Sequence, residues 1–333
     1  MHNDIASLGS VVRLWLTRHQ RWTSPVWLVG ESYGGFRAAA MAQTLPHDVN
    51  VIVKGLVLVS PALDLSALHQ TERDLLASAF VLPSYAATAA YGISSGGPGV
   101  ADAERFALSD YLVGLAELKG QLSPDDPFIA RIAQIAGVPA EIVRRYRGRI
   151  PRHIFAREIR RNEGEMVSLY DSTIARPAGP EGGERGGAGD PVLQPAVAAY
   201  GTAFNAYLVE ALGVHTDQHY RVLPHDVSQQ WNWQGEREHG SEGLAMSSLE
   251  AALLEHPAMK VLIANGRYDL VTPYLSSRWL VDQLEIPEAT RSAIQLQVYD
   301  GGHMLYMRPA SRSLLAHDAG ELYGVGEPGA VSQ

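Results

Sequence analysis

Three residues of this chain have the types and the spacing to turn a hydroxyl into a nucleophile: Ser32, Asp269 and His303. Ser32 lies in Gly30-Glu-Ser-Tyr-Gly34, after the apolar run Val26-Trp-Leu-Val29 and before an alanine-rich stretch ending at Ala40. That order predicts a strand, a sharp turn and a helix, the nucleophile elbow that lifts a serine hydroxyl clear of a sheet. Gly30 and Gly34 are the small residues expected to let strand and helix crowd around it. The helix that starts there would aim free N–H groups and its positive end at the serine, where an oxyanion develops. Asp269 follows the apolar run Lys260-Val-Leu-Ile-Ala264, and His303 follows the alternating Ile294-Gln-Leu-Gln-Val-Tyr299. All three therefore sit beyond the C-terminal end of a predicted parallel strand, where open α/β sheets build their sites.

The order serine, acid, histidine is that of the α/β-hydrolase triad. In it the serine attacks a carbonyl, the imidazole takes its proton, and the carboxylate fixes the tautomer. Asp300 competes with Asp269 for the acid role, but at three residues from His303 it is better suited to bracing the loop. His303 itself reads otherwise as a surface histidine, although Gly301 and Gly302 are what a tight loop presenting an imidazole needs. His215 and His219 have the spacing of a chelating pair, with His225 nearby. Asp217 and Pro224 make that segment turn-like and no third ligand has a place, so no metal and no organic cofactor is expected.

The 333 residues, 46% hydrophobic and 19% charged, supply one large domain or two modest ones. A net charge of -9 argues against nucleic acid as a partner, since no basic stripe exists to neutralise phosphates. The arginines between Arg144 and Arg152 are interleaved with Tyr146 and Ile150 and read as a solvated helix face. The absence of cysteine removes thiolate nucleophiles, thiolate-bound zinc and disulfides together. Asp4, Ser10 and Arg13 interrupt the first twenty residues, so neither a signal peptide nor a membrane span is expected.

The elements needed to position the three residues divide the chain into three parts. Residues 1–64 hold an amphipathic helix (Ile5, Leu8, Val12 and Trp15 at helical spacing), the elbow, and a second buried strand at Lys54–Ser60. Residues 65–232 show helical periodicity without strand-like runs, the signature of an inserted helical cap. Within it, Ser94–Gly99 and Pro177–Asp190 read as flexible loops. Residues 233–333 return to alternation, with a helix after Pro273 and a last one from Pro309 to Leu322. The predicted class is α/β: an α/β-hydrolase core with a partial, mostly parallel sheet and a large helical insertion.

Gly30-Glu-Ser-Tyr-Gly34, Asn265-Gly-Arg-Tyr-Asp-Leu-Val-Thr-Pro273 and Gly301-Gly-His-Met304 together resemble the serine carboxypeptidase family, its bacterial branch in particular. Arg157–Gly164, Tyr220–Leu223, Trp231–Trp233 and Met307–Pro309 extend the likeness over nearly the whole chain, and the glutamate before the serine is its most specific mark. The resemblance implies that Ser32 is the nucleophile, His303 the general base and Asp269 its partner, with the Tyr33 N–H forming half of the oxyanion hole. It implies that Glu31 recognises the free C-terminal carboxylate of a peptide, and that Tyr33 and Met304 wall the pocket. Two carboxylates at hydrogen-bonding distance repel unless they share a proton, so mildly acidic pH should favour this role. The compartment is not fixed by the sequence, and the resemblance implies a periplasmic or secreted full-length form.

Members of that family also carry an upstream Asn-Gly-Gly-Pro-Gly loop that supplies the second oxyanion donor, a group whose loss can cost about 10²–10³ in turnover. This sequence does not contain it. Without an upstream strand, Val26–Val29 is expected to form an apolar edge open to pairing with another chain, a homo-oligomer included. The expected function is a serine-type carboxypeptidase acting through an acyl-enzyme on peptides with a free C-terminal carboxylate. The alternatives are another α/β-hydrolase esterase or acyltransferase, or an inactive N-terminally truncated homologue.

Overall fold

In a computed structural model, residues 2–68, 73–91, 99–120, 122–123, 125–179, 189–232 and 245–324 are described. The chain opens with α1 (His2–Arg18), β1 (Val26–Glu31), α2 (Tyr33–Val49) and β2 (Val53–Val59). Helices follow: α3 (Leu65–Leu68), α4 (Leu75–Ala90), α5 (Val100–Ala107), α6 (Asp110–Glu117), α7 (Pro127–Ala136), α8 (Ala140–Arg145) and α9 (Arg152–Glu158). Two three-residue strands come next, β3 (Glu165–Val167) and β4 (Ala175–Pro177), then α10 (Leu193–Glu210), α11 (His225–Gln230) and α12 (Ala245–Glu255). The chain ends with β5 (Lys260–Gly266), α13 (Tyr274–Asp282), α14 (Glu288–Arg291), β6 (Ile294–Tyr299) and α15 (Pro309–Tyr323).

The four strands pair in the order β1-β2-β5-β6, every pair parallel, so the fold is α/β. Side chains alternate across a strand, and in the central strands β2 and β5 both faces are covered. Leu56, Leu58, Val261 and Ile263 face Phe36, Met41 and Leu45 of α2 and Leu249 and Leu253 of α12. Val57, Val59, Leu262 and Ala264 face Leu322 and the partly buried Leu315 and Ala319 of α15. Each such side chain fully withdrawn from water stabilises the fold by about 1.5–3 kcal/mol, which is why the central strands read as continuous apolar runs.

A separate core holds the helices of the middle segment: Phe80 and Tyr85 of α4, Ile129 and Ile132 of α7 and Phe155 of α9. Local signals set its boundaries. α7 begins where Asp126 accepts hydrogen bonds from the N–H groups of Phe128 and Ile129, with Pro127 at the first helical position, and it ends at Gly137 with φ 69°. The same core contains Leu270, Tyr274 and Leu275 from the loop after β5 and the start of α13, so the helical segment is anchored where Asp269 lies.

The helical reading of the middle segment needs one correction. β3 and β4 form an antiparallel pair within it, with Met166 opposite Arg176. Three-residue strands are too short for alternation to show in sequence. The premise of a chelating histidine pair on a helix face also fails, because α10 ends at Glu210 and residues 211–219 are not helical. Most of the loops at 94–99 and 177–190, and Trp233, lie outside the described residues. Among the described residues β1 pairs with β2 alone and Val29 is 65% exposed, so the expected apolar edge is present. No helix among the described residues is long and apolar enough to cross a membrane.

Candidate active site

Because β1, β2, β5 and β6 run parallel, the residues that follow them gather along one end of the sheet. Ser32 joins β1 to α2 with φ 55° and ψ −120°. That conformation costs a non-glycine residue on the order of 1–3 kcal/mol and persists only where surrounding contacts impose it. Here they do: the Ser32 N–H donates to the Val59 carbonyl at 2.9 Å, and the Ser32 carbonyl accepts from the N–H groups of Gly35 and Ala62, both at 3.0 Å. A Cβ on Gly30 would lie 2.0 Å from the Gly34 carbonyl oxygen, and one on Gly35 would lie 2.5 Å from Pro61 Cβ. A Cβ on Gly34 would meet nothing within 4 Å. The expectation that Gly30 and Gly34 are the crowded pair is therefore corrected: the side-chain-free positions are Gly30 and Gly35, while Gly34 contributes only its backbone.

Asp269 is fully buried and all its acceptor sites are used. Its Oδ1 accepts from the N–H groups of Val271 (2.7 Å) and Thr272 (2.9 Å), because the chain turns back over the carboxylate immediately after it. Its Oδ2 lies 2.6 Å from Thr272 Oγ1 and 2.8 Å from His303 Nδ1. An ionised carboxylate can only accept, so Nδ1 carries the proton and Nε2 is the nitrogen left to take one. Ser32 Oγ and His303 Nε2 bond no described residue. Serine and base often come within hydrogen-bonding distance only once substrate is bound.

His303 is held from three sides. Its N–H donates to the Tyr170 carbonyl at 2.5 Å, its carbonyl accepts from Ser60 Oγ at 2.8 Å, and the Tyr170 ring meets the imidazole edge-on with centroids 5.4 Å apart. Ser60, with φ 42° at the end of β2, also places its carbonyl oxygen 3.0 Å from Thr272 Oγ1. Asp300 does not approach the imidazole nitrogens. It bonds Arg308 at 2.8 Å, and Arg308 reaches on to Asp171 and Thr173, which ties the histidine loop to the segment between β3 and β4.

Burial pushes the His303 imidazole down, while the Asp269 charge, the hydrogen bond to Asp269 and the Glu31 charge push it up, and the net shift is upward. A histidine that serves as general base works only when neutral, so in that role an upward shift would move the acidic limb of turnover to higher pH. Glu31→Gln removes one upward push and is expected to move that limb to lower pH by a fraction of a unit. An uncharged ester substrate reads this without involving carboxylate recognition; a limb that stays put or moves up would contradict it.

Glu31, the last residue of β1, accepts a hydrogen bond from Tyr306 Oη at 2.7 Å. The Tyr33 ring stacks on Phe36 (5.4 Å between centroids), lies under the Arg37 guanidinium and meets Trp231 edge-on. Its N–H is the first of α2. Met304 is half-buried beside His303, just before the 3-10 turn Leu305–Met307. Four contributors carried no sequence expectation: Tyr170, Ser60, Thr272 and Tyr306. Only the last two had a usable signal, each standing one turn (three residues) beyond a candidate residue.

An open groove of about 630 Å³ runs along α10, between Val197, Gly201 and Asn205 and the segment from His219 to Asp226. None of Ser32, Asp269 and His303 lines it. Among the described residues the cluster with metal-ligating reach is His317, Asp318 and Glu321 on α15, where Asp318 is already taken by the Tyr299 hydroxyl at 2.5 Å. No protein-family model matches the chain, and no match is found among the curated proteins.

Proposed function

We propose that this chain is a serine-type carboxypeptidase built on an α/β-hydrolase core, with the helical segment at 65–232 as its cap. The observation that carries the reading is the buried Asp269–His303 pair, at 2.8 Å, on adjacent strand ends, with a serine held at φ 55° at the same end of the sheet. Ser32 Oγ attacks the scissile carbonyl and His303 Nε2 receives its proton. Asp269 holds the ring in that tautomer and stabilises the imidazolium, and the Tyr33 N–H at the start of α2 faces the developing oxyanion. The imidazolium then protonates the leaving amine, and water repeats the sequence on the acyl-enzyme. Glu31 selects peptides that end in a free carboxylate, and Tyr33 and Met304 border the departing residue.

Two groups then pull turnover in opposite directions. Glu31 must be protonated to share a proton with the substrate carboxylate, whereas His303, shifted upward, must be neutral. The acidic preference read from sequence is therefore narrowed to a bell that falls on both sides. Labelling with a fluorophosphonate, which reacts only with an activated serine, tests the core of the proposal. The expected result is one adduct, on Ser32, absent from Ser32→Ala. A folded chain that forms no adduct would overturn the assignment of Ser32, and equal turnover of free-acid and amidated peptides would overturn carboxypeptidase in favour of a general esterase or amidase.

A further inference from the structure

The geometry points to Tyr306 as a positioning residue for carboxylate recognition: its hydroxyl holds one oxygen of Glu31 so that the other faces the ligand. This deepens the carboxypeptidase reading and rests on it for the role of Glu31. Its own observation is the bond from Tyr306 Oη to Glu31 Oε2 at 2.7 Å, which joins residues 275 positions apart.

Tyr306 lies in the 3-10 turn Leu305–Met307, three residues after His303, and Glu31 lies immediately before Ser32. One bond thus ties the loop carrying the base to the strand end carrying the nucleophile. Among the described residues, Tyr306 is the sole side-chain partner of Glu31, and Oε1 accepts from none of them. The phenol is half-buried. Burial, the hydrogen bond to Glu31 and the Glu31 charge all push its ionisation upward, so it remains a donor throughout the working range. The direction of the bond is therefore fixed, phenol to carboxylate.

That fixed direction has a chemical consequence. When Glu31 meets a ligand carboxylate, the two acids share one proton and keep one negative charge between them. With Oε2 committed to accepting from Tyr306, the shared proton must lie between Oε1 and the ligand. The phenol O–H meanwhile takes up part of the residual charge on the Glu31 side, as a hydrogen bond to a charged acceptor does. Without Tyr306, the Glu31 side chain can turn either oxygen, or neither, toward the ligand, and the charge on the pair is less well compensated. Tyr306 touches no reacting atom, so its effect falls on the affinity for free acids.

The test is a pair of binding titrations on the full chain with N-acetylphenylalanine and with its amide, in the wild type, Tyr306→Phe and Glu31→Ala. The wild type is expected to bind the acid more tightly than the amide. Tyr306→Phe should weaken the acid about tenfold, the size expected for loss of one hydrogen bond to a charged group, while moving the amide less than twofold. Glu31→Ala, which leaves neither an acceptor for Tyr306 nor a donor for the ligand, should abolish the preference, and adding Tyr306→Phe to it should cost nothing more. Equal weakening of both ligands by Tyr306→Phe would reduce its role to scaffolding and overturn the inference, as would an unchanged preference for the acid. If the wild type shows no preference while Ser32 still takes the fluorophosphonate, the serine hydrolase stands and both Glu31 and Tyr306 lose their assigned roles. If the preference is present but no adduct forms, the Tyr306–Glu31 unit stands and the assignment of Ser32 falls.

Discussion

Asp269→Asn is expected to lower turnover about 10⁴-fold while leaving the chain folded. The size follows from the tautomer. In the native site Nδ1–H donates to Oδ2 at 2.8 Å, which leaves Nε2 bare to accept the serine proton. Asparagine has one acceptor oxygen, and the Val271 and Thr272 N–H groups, at 2.7 and 2.9 Å from Oδ1, claim it for that position. The amide nitrogen then occupies the place of Oδ2 and donates to Nδ1. The ring proton moves to Nε2, and in the proposed mechanism the base then carries a hydrogen where Ser32 needs a lone pair. Loss of the correct tautomer in a triad of this kind is worth about 10⁴ in kcat.

Stability should change far less. Thr272 Oγ1 can still donate to the Ser60 carbonyl 3.0 Å away, so the substitution disturbs one or two buried hydrogen bonds at about 1 kcal/mol each. Asp300→Asn is the matched control. Its carboxylate bonds Arg308 on an exposed surface, and turnover should stay within about twofold. Steady-state turnover of an ester substrate, beside a thermal melt of each variant, decides the matter. A large loss in Asp300→Asn with little in Asp269→Asn would exchange the two acids.

The contrast between these acids also marks where sequence stopped being informative. β1, β2 and β5 were legible as local apolar runs and β6 as a period-two alternation, and the three candidate residues were legible because each comes within four residues of a strand's end. α12 carried no expectation, although Met246, Leu249 and Leu253 are spaced as a buried helix face and do pack against α2. That spacing marks a buried helix face in the sequence itself. Tyr170 is different in kind. It reaches His303 through its backbone carbonyl and its ring edge, across more than a hundred residues, and no periodicity encodes such a contact. Ser60 acts through a positive φ and through bonds to the loops after β5 and β6, which exist only once those strands are paired. The elements and the residues they carry were thus readable from local pattern. The braces that hold those residues in register are products of the parallel sheet bringing distant loops together.

Gly30→Ala and Gly34→Ala, though both strike the Gly-x-Ser-x-Gly pattern, are expected to differ sharply in stability. At Gly30 the new methyl would lie 2.0 Å from the Gly34 carbonyl oxygen, 2.3 Å from the Gly34 carbonyl carbon and 2.8 Å from the Gly35 nitrogen. All three are backbone atoms of the first turn of α2, so no rotamer change relieves the overlap. The helix start must move away from β1 instead. Ser32 cannot absorb that movement cheaply, since it already sits at φ 55° and ψ −120°, held by the Val59 carbonyl and the Ala62 N–H. Overpacking of this kind costs about 3 kcal/mol, the upper end of its usual range, and it displaces Ser32 and the Tyr33 N–H along with the helix. At Gly34 the methyl enters open space within a helix, where alanine is the better residue by up to about 1 kcal/mol. Urea unfolding of the two variants should therefore show a midpoint well below the wild type for Gly30→Ala, and equal to it or above it for Gly34→Ala. Equal losses in both would mean that the turn needs two side-chain-free residues after all, and that the close approach is made at Gly34 and not at Gly35.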